Sequence, residues 1–176
     1  EKFCSLKTIR KEADIITFHV PLNMQVSDAT YHMANDKFLH NLDKNPLIIN
    51  SCRGEVVDSQ SIYKAIKTKR ISGFIADCWE GEPDLDLDLL KITDYGTPHI
   101  AGYSKDGKAN GTKMSVQAIS KFFNLGIDNW QPKNVDLPPK TEIKIDGSQR
   151  REYSVIAEAI LSTYDIDNDD DALRNN

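Results

Sequence analysis

Cysteine is scarce in this chain: Cys4, Cys52 and Cys78 are the only three among 176 residues. An odd number at wide spacing forms neither a disulfide framework nor a zinc pattern, so reduced thiols in a cytosol are expected. Cys52 and Cys78 each end an apolar run and read as small buried hydrophobes. Long apolar runs are missing as well. None approaches the roughly 20 residues of a membrane span, and residues 1–11 lack the charged-then-apolar order of a signal peptide. Basic blocks are also absent: 22 Lys and Arg stand against 27 Asp and Glu, for a net charge of -5, and no cluster is long enough to track a phosphate backbone. A soluble cytoplasmic protein with neither membrane nor nucleic acid as partner is expected.

What is present suffices for a core, since 39% of the residues are apolar. Residues 14–20 read as an apolar strand stopped by Pro21, and Leu47–Asn50 repeats the pattern after a helix over 35–42 and the Asn45-Pro46 turn. Asp58 is placed to cap a helix over 59–69 whose Ile62, Ala65 and Ile66 face inward. A third strand over 73–78, a helical turn over 87–91, a fourth strand around 93–96 and a helix over 108–125 follow. Strands buried on both faces and alternating with helices predict an α/β fold with a parallel, Rossmann-like sheet.

After Gly126 the character changes. Residues 127–141 read as a proline-punctuated linker. Residues 142–146 alternate like a strand, and 150–164 carry Tyr153, Ile156, Ala157, Ile160 and Tyr164 at helical spacing. One strand and one helix cannot bury both faces, so a partner chain, or further sequence outside these 176 residues, is expected to cover them. The acidic run 165–171 suggests a calcium loop but fails as one. Asp170 falls where the turn glycine belongs and Asn176 where the bidentate glutamate belongs, so a solvated, flexible turn is expected and no metal.

Three side chains at successive strand ends supply one chemistry. Oxidising a hydroxy acid at C2 requires a base for the hydroxyl proton, and His99, in Thr97-Pro98-His99-Ile100-Ala101-Gly102, is a side chain suited to that task. Glu82, in Trp79-Glu80-Gly81-Glu82-Pro83, would stabilise the imidazolium that forms. Arg53, in Asn50-Ser51-Cys52-Arg53-Gly54, offers a permanent forked cation to grip a carboxylate or polarise the C2 oxygen. Asp77 has two readings, contact to a cofactor or a cap of the following turn, and the first is favoured. His19 reads as a packed histidine beside the crevice, His32 and His40 as surface residues, and Trp79 as packing.

The ordered set His19-Val20-Pro21-Leu22, residues 49–58, residues 77–83 and residues 97–102 resembles the D-isomer-specific 2-hydroxyacid dehydrogenases. Within that family, residues 79–83 and 99–104, Gly107-Lys108, Gly111-Thr112 and the tail resemble the branch that uses NAD to oxidise 4-phospho-D-erythronate to its 2-oxo acid in vitamin B6 biosynthesis. The resemblance implies that Arg53, Glu82 and His99 are catalytic. It also implies NAD contacts at Val20, Ser51, Cys52, Arg53, Asp77 and Gly102, a substrate contact at Tyr103, a phosphorylated 2-hydroxy acid as substrate, and a homodimer. Valine at position 20, where threonine is common in the family, leaves a backbone contact there. A dehydrogenase acting on phosphoglycerate or hydroxypyruvate is the enzyme alternative, and an NAD-sensing, partner-binding relative the non-enzyme one.

No Gly-x-Gly-x-x-Gly precedes the first strand, and no acidic residue stands where the ribose hydroxyls would be held. The chain therefore reads as the later half of a cofactor domain, residues 1–126, a linker over 127–141, and the start of a dimerisation domain over 142–176. Very weak NAD binding is expected of it in isolation, because the loop that cradles the phosphates is missing.

Overall fold

Four short strands, β1 (Ile15–Phe18), β2 (Leu47–Asn50), β3 (Gly73–Ala76) and β4 (Tyr95–Gly96), lie side by side in chain order, and every neighbouring pair is parallel. Ile15 pairs with Leu47, Leu47 with Gly73, and Ile75 with Tyr95, so the carboxyl ends of all four strands emerge along one edge. The computed structural model describes residues 3–25, 27–136 and 140–175. Leu137, Pro138 and Pro139 of the expected linker, and Asn176 of the rejected calcium loop, lie outside the described residues.

The helices are α1 (Leu6–Glu12), α2 (Asp36–His40), α3 (Ser59–Lys67), α4 (Leu87–Ile92), α5 (Lys105–Phe123), α6 (Glu152–Leu161) and α7 (Asp167–Asn175). Short polar side chains set several of their starts. Asn35 accepts from Phe38 N–H, Asp58 from Gln60 N–H, and Asp86 from both Asp88 and Leu89 N–H. Such a cap contributes about 1 kcal/mol by satisfying an amide that the first turn leaves unpaired. Ile16, Phe18, Ile48, Phe74 and Ala76 from the strands meet Phe38, Leu39, Ile62, Ala65, Leu89 and Leu90 from the helices in one core.

Two compact units result, one of residues 1–99 with 166–176 and one of residues 100–165. The sheet and α7 lie in the first. The second contains α5 and α6, and both leave large apolar side chains exposed, among them Phe122, Phe123, Tyr153, Ile156 and Ile160. Ser104 caps α5 by accepting from Gly107 N–H, and Asn124 ends it in the left-handed conformation.

Three expectations need correction. Residues 142–146 form no strand, because none of the strands among the described residues pairs with them. The fourth strand begins at Tyr95, not Thr93, since Thr93 N–H and Oγ1 both bond to the Leu89 carbonyl and complete α4. The acidic tail is not a flexible turn. Residues 167–175 form α7, whose Leu173 packs against the core.

Candidate active site

The geometry beyond β3 and β4 centres on one hydrogen bond, His99 Nδ1 to Glu82 Oε2 at 2.7 Å. A carboxylate on Nδ1 holds the Nδ1–H tautomer and leaves Nε2 as the free basic nitrogen. Glu82 is itself aimed, since its Oε1 accepts Trp79 N–H at 2.5 Å. Trp79 is buried, as expected of a packing residue, and its indole N–H donates to the Thr97 carbonyl at 2.9 Å. His99 takes a left-handed backbone conformation, φ 55°, and its N–H is tied to the Asp77 carbonyl at 2.8 Å. A non-glycine residue in that region needs such support from its neighbours. The His99 and Glu82 side chains remain 39% and 31% exposed, open to a reactant.

Asn50 links this region to the end of β2. Its side chain is fully buried and donates to the Arg53 carbonyl at 3.0 Å and the Cys78 carbonyl at 3.4 Å. Gly54 permits the approach: a Cβ built there would lie 2.0 Å from the Trp79 carbonyl oxygen. Beyond β1 and β2, His19, Val20, Pro21, Leu22, Ser51, Cys52 and Arg53 line an open cleft of about 490 Å³. The Arg53 guanidinium is exposed and donates to the Cys52 carbonyl at 2.6 Å.

Asp77 is 7% exposed and accepts from Thr97 Oγ1 at 2.6 Å, which locks the two strand ends together. Burial first, then the charges of Asp77, Glu82 and Cys52, push the Cys78 thiol up to about 12, with Arg53 pulling the other way. That thiol stays protonated at neutral pH, consistent with the inert, buried role expected of it. Gly102 and Tyr103 belong to the second unit. There the Lys108 ammonium lies 3.3 Å from the Tyr103 ring centroid and lowers the phenol pKa.

Two histidines depart from expectation. His19 is exposed, not packed, and bonds Thr17 Oγ1 through Nε2 at 2.8 Å. His32 is half-buried: it stacks on Tyr31 at 3.9 Å and hydrogen-bonds Glu80, whose other oxygen accepts Ser59 N–H at 3.1 Å. Burial disfavours the Glu80 carboxylate, but the bonds from His32 and Ser59 outweigh it and lower its pKa. The polar sequence around His32 gave no sign of a contact 48 positions away.

A parallel sheet with a carboxylate-held imidazole and an open cleft at its strand ends belongs to the α/β class that places ligands beyond the carboxyl ends of strands. Residues 1–101 match the family model described as D-isomer specific 2-hydroxyacid dehydrogenase, NAD binding domain, and the chain belongs to this family. Its relatives include the erythronate-4-phosphate dehydrogenase of Bacteroides fragilis, 43% identical over 98% of this chain and 47% of the relative. That of Porphyromonas gingivalis is 43% identical over 93% of this chain and 44% of the relative. The chain thus spans about half the length of the curated relatives it matches. Among solved structures, the D-lactate dehydrogenase of Aquifex aeolicus, complexed with NAD and lactic acid, shares 26% identity at a TM-score of 0.55, over 72% of this chain and 41% of that one. Rhodotorula graminis D-mandelate dehydrogenase, in its apo form, shares the fold at 22% identity and a TM-score of 0.60, over 69% and 34%.

Proposed function

We propose that the chain carries the proton-handling half of an enzyme that oxidises 4-phospho-D-erythronate to the 2-oxo acid with NAD, a step of vitamin B6 biosynthesis. The observation that carries this reading is the His99–Glu82 pair, fixed at 2.7 Å on a sheet of this family. The 43% identity to erythronate-4-phosphate dehydrogenases over nearly the whole chain supports the substrate.

His99 Nε2 takes the proton of the C2 hydroxyl, and Glu82 stabilises the resulting imidazolium. Arg53 pairs with the substrate carboxylate through its forked donors. The cleft beyond β1 and β2 suits an extended ligand: Val20 offers backbone and Ser51, Cys52 and Arg53 offer polar groups at its wall. These residues, with Asp77 and Gly102, are assigned to NAD, which accepts hydride from C2 when bound. Tyr103 is assigned to substrate on the family resemblance.

Residues 1–126 are assigned to the cofactor domain, 127–141 to a linker and 142–176 to the start of a dimerisation domain. The exposed Tyr153, Ile156 and Ile160 of α6 favour a homodimer. A cytoplasmic location fits three free thiols, and no helix among the described residues is long and apolar enough to cross a membrane.

The test is NADH formation by the full-length protein. Turnover with 4-phospho-D-erythronate well above that with phosphoglycerate is expected, and the reverse preference overturns the assignment.

A further inference from the structure

Helix α7 holds the outer edge of β4, the strand that leads directly into His99. Strand β4 is only two residues long and pairs with β3 on one side alone. On its other side Gly96 N–H donates to Asp170 Oδ1 at 2.6 Å, and the Tyr95 hydroxyl donates to Asp167. Asp170 Oδ2 in turn takes Arg174 Nε at 2.8 Å. The same guanidinium reaches back to the end of α4, donating to the Leu90 carbonyl at 2.7 Å and the Thr93 carbonyl at 2.9 Å. Arg174 therefore ties α7 to the last turn of α4 and the residue after it, while Asp170 ties α7 to β4.

We propose that Asp170 and Arg174 are positioning residues for His99: they fix β4 from its open edge and so hold the following run, Thr97-Pro98-His99, where the imidazole meets Glu82. Gly96 is followed by Thr97, whose N–H bonds the Ala76 carbonyl and whose hydroxyl bonds Asp77, and then by His99, whose N–H bonds the Asp77 carbonyl. Those bonds all come from the β3 side, and a short strand held from one side can tilt about them. Asp170 and Arg174 supply the opposing hold. The Arg174 bond lowers the Asp170 pKa although partial burial opposes it, and the same bond raises that of Arg174, so each partner favours the charged form of the other.

The inference rests on His99 being the proton carrier. The test uses full-length protein and compares wild type with Arg174→Ala, Asp170→Asn and Arg174→Lys. Two readouts are taken, turnover of 4-phospho-D-erythronate with NAD and the Nδ1–H resonance of His99 in histidine-labelled protein. Misplacing a catalytic group by a fraction of an ångström costs on the order of tenfold or more in rate. Arg174→Ala and Asp170→Asn are therefore expected to lower kcat about tenfold with KM for NAD within about twofold, and to broaden or shift the His99 resonance; Arg174→Lys should recover part of both. A lowered melting temperature with unchanged kcat and an unmoved resonance overturns the proposal. Should Arg174→Ala not fold, Asp170→Asn, which keeps the side-chain volume, decides alone. Should the wild type not oxidise the substrate, the functional reading falls, and the resonance still judges whether α7 positions His99.

Discussion

Beyond β3 and β4 the side chains are tied to one another, whereas beyond β1 and β2 they stand open. His99 is held by Glu82, Glu82 by Trp79 N–H, and the Trp79 indole by the Thr97 carbonyl. On the other side, His19 and Arg53 are exposed on the wall of a wide cleft. On the proposed function the contrast separates two tasks within one sheet. Proton transfer depends on geometry set before the reactant arrives, so its groups are preorganised. Binding a flexible ligand depends on groups that adjust to it, and the exposed Arg53 side chain, held by one bond to the Cys52 carbonyl, would exchange that bond for the ligand.

Substitutions on the two sides are expected to act on different kinetic constants. On the proposed function His99→Ala removes the base and should lower kcat by roughly 10²- to 10⁴-fold, with little change in melting temperature because the side chain is partly exposed. Arg53→Lys keeps the charge and loses the fork. It should chiefly raise KM for the hydroxy acid, by about tenfold, the equivalent of roughly 1.4 kcal/mol. Steady-state kinetics of the full-length variants check both. An Arg53→Lys enzyme with normal KM and a kcat as low as that of His99→Ala would erase the distinction between the two sides.

The junction between the sides holds the closest approach at any glycine among the described residues. Gly54→Ala would set a methyl group 2.0 Å from the Trp79 carbonyl oxygen, a backbone atom that cannot rotate away. Overpacking of this kind costs about 1–3 kcal/mol, and the displaced Trp79 N–H is the donor that aims Glu82. Chemical denaturation should show the loss of stability. Full stability in this variant would mean that the segments at Gly54 and Trp79 move apart freely, and that the open side is not anchored to the closed one.

Local signals account for what the sequence made legible. Apolar runs bounded by proline, asparagine and capping aspartates announced β1 to β3 and α3, and Arg53, Glu82 and His99 were marked by their place at strand ends. Contacts between distant segments left no such mark. His32 and Glu80 are separated by 48 positions, and Gly96 and Asp170 by 74. The acidic tail looked solvated because aspartates are poor helix formers. Its helix is held by Arg174, Leu173 and the edge of β4, none of which periodicity reveals. Residues 142–146 erred the other way: alternation is necessary for a strand but does not supply a neighbour to pair with.

The smallest expected effect lies at the outer support of the closed side, where Glu80 joins His32 to Ser59 N–H at the start of α3. Its pKa is lowered in the folded state, burial being outweighed by those bonds. A carboxylate shifted in this direction contributes stability that is fully present above its unfolded value, about 4.3, and is lost as pH falls through the depressed folded value. Glu80→Gln should therefore melt slightly below wild type at pH 7, the loss of stability being less than about 1 kcal/mol for a pair that is still partly exposed. The two melting temperatures should converge as the solution is acidified through that range. A gap that persists in acid would show that Glu80 supports the loop by shape and neutral hydrogen bonding, and that its charge adds nothing to the order distinguishing the β3–β4 side from the open cleft.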